Sequence, residues 1–309
     1  MRGRKRKIFP NTFQHIFQRA VDQGVLFFSD ADRLVFLTLM YVYKQKFGIT
    51  ILAVALMFDH FHGLVKAATK EILALFVGTM TGMYAKLFNN DTGRKGPLFR
   101  KAYGNATKTG AKKIRTCIAY IFNNSVEKKL FGKAEDDRWN LLAYLLSDHP
   151  FSEPIKPRHA SRKLLRSMKE ADSHFRNNNF LNYSTVRRLF RNLDEKEYQQ
   201  LMDYIIVLYL PIDREEVLSY YKSAGDMVLA INSNTGSEYE VDEEYDPESH
   251  CDYAAMEKIL SHSSYADNPH CIVSAPLKKK ADIARILKSR TGASDKHIAR
   301  FLHLQHPSG

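Results

Sequence analysis

From Thr12 to Leu130 the apolar residues repeat with a period of two, then 3.6, then two again, and that order leaves few folds open. "TFQHIFQRA" (Thr12–Ala20) reads as a strand, and "SDADR" offers Ser29 or Asp30 as the cap of a helix over about Ala31–Lys46. That helix carries Leu34, Phe36, Leu37, Leu39 and Met40 at helical spacing. "GITILAVAL" is rich in branched residues and reads as a buried strand; a turn at Phe58-Asp59 returns the chain through "HFHGLVK". A second helix, Lys70 to Asn89, has Ile72, Leu75, Phe76, Met80, Met83, Leu87 and Phe88 on its apolar side. "NNDTGRKG" reads as a loop, "LFRKAYGNAT" as a strand and "AKKIRTCIAYIFNNSVEKKL" as a helix. Strand, helix, strand, strand, helix, strand, helix is the ferredoxin-like order. It predicts an α+β domain with an antiparallel sheet and helices.

After Leu145 the periodicity is helical alone. "HPFSEPIKP" (149–157) is a proline-punctuated linker, and "SRKLLRSMKEADSHFRN", "YSTVRRLFRNL" and "EKEYQQLMDYIIVLYL" have helical periods. At the end of the chain Ile283, Ile286 and Leu287 form one apolar stripe and Ile298, Phe301 and Leu302 another. "TGAS" between them supplies a glycine turn and Ser294 as N-cap. This is helix-turn-helix spacing, with Lys296, His297 and Arg300 available to a duplex groove; a helical hairpin that docks on the preceding domain is the alternative.

Charge follows the same divisions. Residues 1–150 carry 24 basic and 11 acidic groups, residues 233–270 carry 1 and 10, and residues 271–309 carry 8 and 2, within a net charge of +12. The expected organisation is a catalytic domain at 1–148, a helical domain at 158–232, an acidic connector at 233–270 and a basic module at 271–309. A basic surplus of this size favours a polyanionic partner, nucleic acid first, over a merely well-solvated basic surface. Three scattered cysteines make no disulfide framework and suit a reducing cytoplasm. No signal peptide is legible at the N-terminus, and runs such as "ITILAVALMF" are too short for a bilayer, so no membrane association is expected.

In "MFDHFHGLV" (Met57–Val65) strand alternation puts His60 and His62 on one face and Phe61 on the other. Two imidazoles on one face can be two ligands of a divalent ion, or two polar residues on a solvated surface. On the helix "TCIAYIFNNSV", Tyr120 and Asn124 are one turn apart on one face. A phenol with a pKa near ~10 needs a polarised electrophile to attack at neutral pH. A metal held by His60, His62 and the Asn124 amide oxygen would place Tyr120 beside an activated phosphate; otherwise Tyr120 is a core residue. Tyr84 and Tyr103 are followed at four residues by Phe88 and Thr107, poorer oxygen ligands.

"MFDHFHGLV", "MYAKLFNNDTGRKGPLFRKAYG" and "YIFNNSVEKKL" together resemble the single-tyrosine HUH transposases of the insertion sequence 200/605-like group, and within it the REP-associated tyrosine transposases. The resemblance covers about residues 8–148. It implies an enzyme that cuts single-stranded or hairpin DNA at inverted repeats and rejoins it through a 5′-phosphotyrosine, acting as monomer or homodimer. By position it makes Tyr120 the nucleophile and His60, His62 and Asn124 the ligands of Mg²⁺ or Mn²⁺. The chain departs from the family at Phe58-Asp59, where Pro-Asn or Pro-Glu is common, and at Asn124-Ser125, where Asn-Pro is usual. Asp59 beside His60 bears on metal preference.

Arg94, Lys95, Arg100 and Lys101 flank the glycine-containing loop and are candidate DNA-backbone contacts, as is the "RKRK" arm at Arg4 to Lys7. His250, Cys251, His262, His270 and Cys271 fit no standard zinc finger. Two alternatives to the nicking enzyme are a catalytically silent hairpin DNA- or RNA-binding protein on the same fold, and a metal-dependent hydrolase using water with no covalent step.

Overall fold

The computed structural model describes residues 11–100, 102–233 and 248–304. Lys101 and the Arg4 to Lys7 arm lie outside them. The expected alternation is present as β1 (Phe13–Arg19), α1 (Asp30–Phe47), β2 (Thr50–Leu56), β3 (His60–Lys66), α2 (Lys70–Thr92), β4 (Gly104–Lys108) and α3 (Gly110–Glu127). The strands form one sheet in the order β2-β3-β1-β4, every pair antiparallel, which is the ferredoxin-like arrangement.

Local chemistry sets the helix ends. Ser29 precedes α1 in extended conformation, and the Asp32 carboxylate accepts from Phe28 N and Ser29 Oγ at 2.9 and 3.0 Å. Gly48 ends α1 at φ 61°, where a side chain would be strained. Thr69 caps α2 by accepting from Ile72 N. That helix continues three residues beyond Asn89 before Gly93 stops it in the left-handed region, so the expected loop begins later. The strand expected from Leu98 is shorter, because Phe99 makes only an isolated bridge to Ala20 and pairing resumes at Gly104. Pro97, which has no N–H to donate, stands just before that bridge.

The two sheet faces have different occupants. Phe61 meets Phe36 of α1 at a ring distance of 5.0 Å and joins a core with Phe27, Tyr84 and Phe99. Helix α2 has the length and mean hydropathy of a membrane span, yet Leu73, Phe76, Val77, Met80, Tyr84 and Phe88 are all buried in this core. On the opposite face His15, His60 and His62 lie under α3.

Among the described residues, the longer elements that follow are all helices: α4 (Arg162–Arg176), α5 (Tyr183–Phe190), α6 (Glu195–Leu208), α7 (Arg214–Leu218), α8 (Ala224–Asn232), α9 (Ser249–Leu260), α10 (Leu277–Thr291) and α11 (Asp295–Phe301). These helices share one hydrophobic core with the sheet. Just before α7, Asp213 pairs its backbone N–H with Ile51 O on edge strand β2, and its carboxylate takes Ile51 N and Lys44 Nζ at 2.7 Å each. The described part of the expected acidic connector contains α9, whose Tyr253, Met256 and Leu260 are buried at helical spacing. Its acidic composition masked that stripe. The terminal hairpin forms as expected, with Ser294 accepting from His297 N, but it is docked: Ile298, Phe301 and Leu302 are buried, and Phe301 lies 5.2 Å from Phe28.

Candidate active site

β3 places His60 and His62 on the α3 side of the sheet, both 0 % exposed, which removes the solvated-face reading. His60 Nδ1 stands 2.6 Å from Asp59 Oδ1, and His62 Nδ1 stands 2.9 Å from His15 Nε2. If both rings carry the proton on Nδ1, each donates there, to Asp59 and to His15, and keeps a lone pair on Nε2. That is the tautomer a metal-ligating histidine needs.

Burial lowers the His62 imidazole well below its ordinary value, with His60 and His15 adding to the effect. Burial also lowers His15 to about 3, helped by Lys108 and His60. Both therefore rest neutral. For Asp59, burial alone would raise the carboxyl, but His60, His250 and Arg19 around it hold it well below the carboxylate range. Arg19, paired opposite His60 in the β1–β3 register, reaches Asp59 Oδ2 at 3.0 Å.

Tyr120 on α3 stands edge-on to His15 and His62, with ring centroids 5.6 and 5.8 Å away. Asn124, one turn on, is 0 % exposed. A turn further, the Lys128 carbonyl accepts from Cys251 Sγ at 3.5 Å, beside His250 on α9. The stripe Tyr120–Asn124–Lys128 therefore runs from the His15–His62 pair towards His250, with Asn124 between. Among the described residues, His60 Nε2 and both amide atoms of Asn124 are buried with no hydrogen-bond partner. Buried polar atoms are rarely left so, and an imidazole nitrogen and an amide oxygen are donors that a divalent cation accepts. The residues fit a metal. Tyr84 is on the other sheet face, donating to Leu26 O at 2.8 Å.

His15 and Phe17 with its Gly104 partner were not singled out from sequence, and His250 was noted only among residues that fit no standard zinc finger. Phe17 packs 6.1 Å from both His15 and His62. A Cβ on Gly104, its β4 partner, would stand 2.1 Å from the Phe17 ring, so only glycine lets that ring lie flat against the strand. The alternation Phe13-His15-Phe17 was the legible signal for His15.

The proposed DNA contacts separate. Arg94 and Lys95 line one cleft of about 410 Å³ together with Lys280 and Arg300 from the terminal hairpin. The Lys280 ammonium is pushed down by burial and then by Arg94, as expected where cations crowd. Arg100 lines a different groove, with Gln18 and Tyr103. Lys296 is exposed on α11. His297 is not available to a groove: it is 4 % exposed, and its Nδ1 lies 2.6 Å from the Asp252 carboxylate. The supposed zinc residues do not gather. His262 stands by the Lys258 carbonyl and His270 between Asp32 and Asp91.

Residues 15–124, which span β1 to the Asn124 turn of α3, match the family model described as Transposase IS200 like. Over these residues the chain is similar to that family. No curated protein matches the chain. A solved structure described as a REP-associated tyrosine transposase bound to a REP hairpin is similar at 12% identity and TM-score 0.41, covering 47% of this chain and 86% of that one. The members of the proposed centre on β1, β3 and α3 fall inside the matched residues, whereas His250 and the terminal hairpin fall outside them.

Proposed function

We propose that the chain is a REP-associated-type transposase that nicks and rejoins single-stranded or hairpin DNA through Tyr120, with a divalent cation held by His60, His62 and Asn124. The observation that carries this is the convergence of Tyr120 on the paired histidines, beside an Asn124 amide with no protein partner. In the cleavage step Tyr120 Oη forms a bond to phosphorus as the P–O3′ bond breaks. The phenolic proton goes to solvent and the 3′ oxygen takes one up, which leaves a 5′-phosphotyrosine; rejoining is the reverse with a new 3′ hydroxyl. When bound, the cation supplies Lewis-acid polarisation of the phosphate. The His15 and Asp59 contacts fix the two ligand rings, and α3 presents the phenol from a rigid element.

One observation favours a second reading, a hairpin-binding protein without catalysis. Tyr120 is only 7 % exposed, so a strand reaches it only if the covering elements shift. Labelled hairpin DNA and Mn²⁺ separate the two. The nicking enzyme gives a denaturation-resistant adduct that disappears in Tyr120→Phe while hairpin binding persists; binding with no adduct from the unaltered chain means the silent protein.

A further inference from the structure

Helix α9 brings His250 to the edge of this centre. His250 Nε2 lies 3.5 Å from Asp59 Oδ1, the oxygen that also meets His60 Nδ1 at 2.6 Å, and the His60 and His250 rings are 5.7 Å apart. One ligand atom from each of Asp59, His60 and His250 lies within 4.8 Å of the others, and the three residues are 7, 0 and 3 % exposed. Around an ion bound at about 2.1 Å, neighbouring ligand atoms stand roughly 3 Å apart, so small side-chain rotations close the trio. His250 Nδ1 is buried with no hydrogen-bond partner, unlike an ordinary core histidine. Tyr253, with its ring 6.1 Å from that of His250, and Met256 seat the helix, so the imidazole is held in place by packing.

We propose that His250 and Asp59 belong to the ligand set of the divalent cation, so that the helical extension outside the transposase region supplies a ligand to the metal centre. This rests on the metal-dependent reading above. It makes the centre richer in imidazole than the paired histidines alone. Nitrogen donors favour Mn²⁺, Co²⁺ or Zn²⁺ over Mg²⁺, which prefers oxygen ligands and water.

The test uses the full chain stripped with EDTA, titrated with Mn²⁺ by calorimetry and with Co²⁺ by its visible absorption. His250→Gln keeps an N–H for Asp59 but removes the imidazole lone pair. It is expected to weaken Mn²⁺ binding about tenfold or more and to change the Co²⁺ band, while His262→Gln, exposed just beyond the C-terminal end of α9, changes neither. If His250→Gln fails to fold, as judged by its metal-free melting curve, Asp59→Asn is titrated instead, with the same expected loss. Unchanged affinity and an unchanged Co²⁺ band in the folded variant, with binding abolished by His60→Ala, overturn the role of His250 and leave the nicking reading standing. No binding of either ion by the unaltered chain overturns both.

Discussion

His270 joins three distant parts of the chain, and its stability contribution is tied to pH. Its Nδ1 lies 2.7 Å from the Asp32 carboxylate at the start of α1, and its Nε2 lies 2.8 Å from Asp91 near the end of α2. Asp91 is held in turn by Arg187 of α5, and Asp32 by the Tyr183 hydroxyl at 2.8 Å. Burial opposes the charged imidazole, but the two carboxylates outweigh it and raise its pKa from 6.5 to about 9. A raised histidine stabilises fully below its unfolded value, and that stability is lost as pH rises from 6.5 through about 9. A shift of this size corresponds to about 3 kcal/mol, a large share of a typical folding free energy of roughly 5–15 kcal/mol. In His270→Gln no charge is lost across that window. Urea unfolding of both chains at pH 6, 7.5 and 9.5 isolates the effect, since every other group titrates in both. The variant should be less stable at pH 6, because Asp32 and Asp91 lose their cation, and the gap should narrow by about 3 kcal/mol by pH 9.5. Parallel pH dependences in the two chains would show that His270 carries no extra proton in the folded state and would refute the argument.

Gly104→Ala drives a methyl group into the Phe17 ring and should cost about 1–3 kcal/mol in urea unfolding; an unchanged midpoint would mean the ring moves freely. Arg94→Ala and Arg300→Ala, in the shared basic cleft, should each lower the salt slope of hairpin binding by about 1. His297→Ala should leave that slope alone and instead lower stability by about 1–3 kcal/mol, because it removes the Asp252 partner. The reverse pattern, with His297 moving the slope and the two arginines not, would restore the groove-reading role of α11.

The order of periods between Thr12 and Leu130 was enough for the first fold. Strand and helix repeats are local properties, and β1-α1-β2-β3-α2-β4 closes into one antiparallel sheet with the pairing seen here. The pairing of His60 with His62, and of Tyr120 with Asn124, was legible for the same reason: each is a spacing within one element. What surrounds those pairs was decided only in three dimensions. His15 reaches His62 because β1 lies beside β3, 47 residues away in sequence, and His250 reaches Asp59 because α9 packs at the end of α3. The tail shows the same limit. Ile298, Phe301 and Leu302 read correctly as an apolar stripe, but a stripe does not say which surface covers it. The uncommitted apolar surface around Phe28 and Tyr253 took it into the common core and turned His297 inward to Asp252. Composition records charge and periodicity records faces; which faces meet depends on contacts distant in sequence, and only the folded chain decides them.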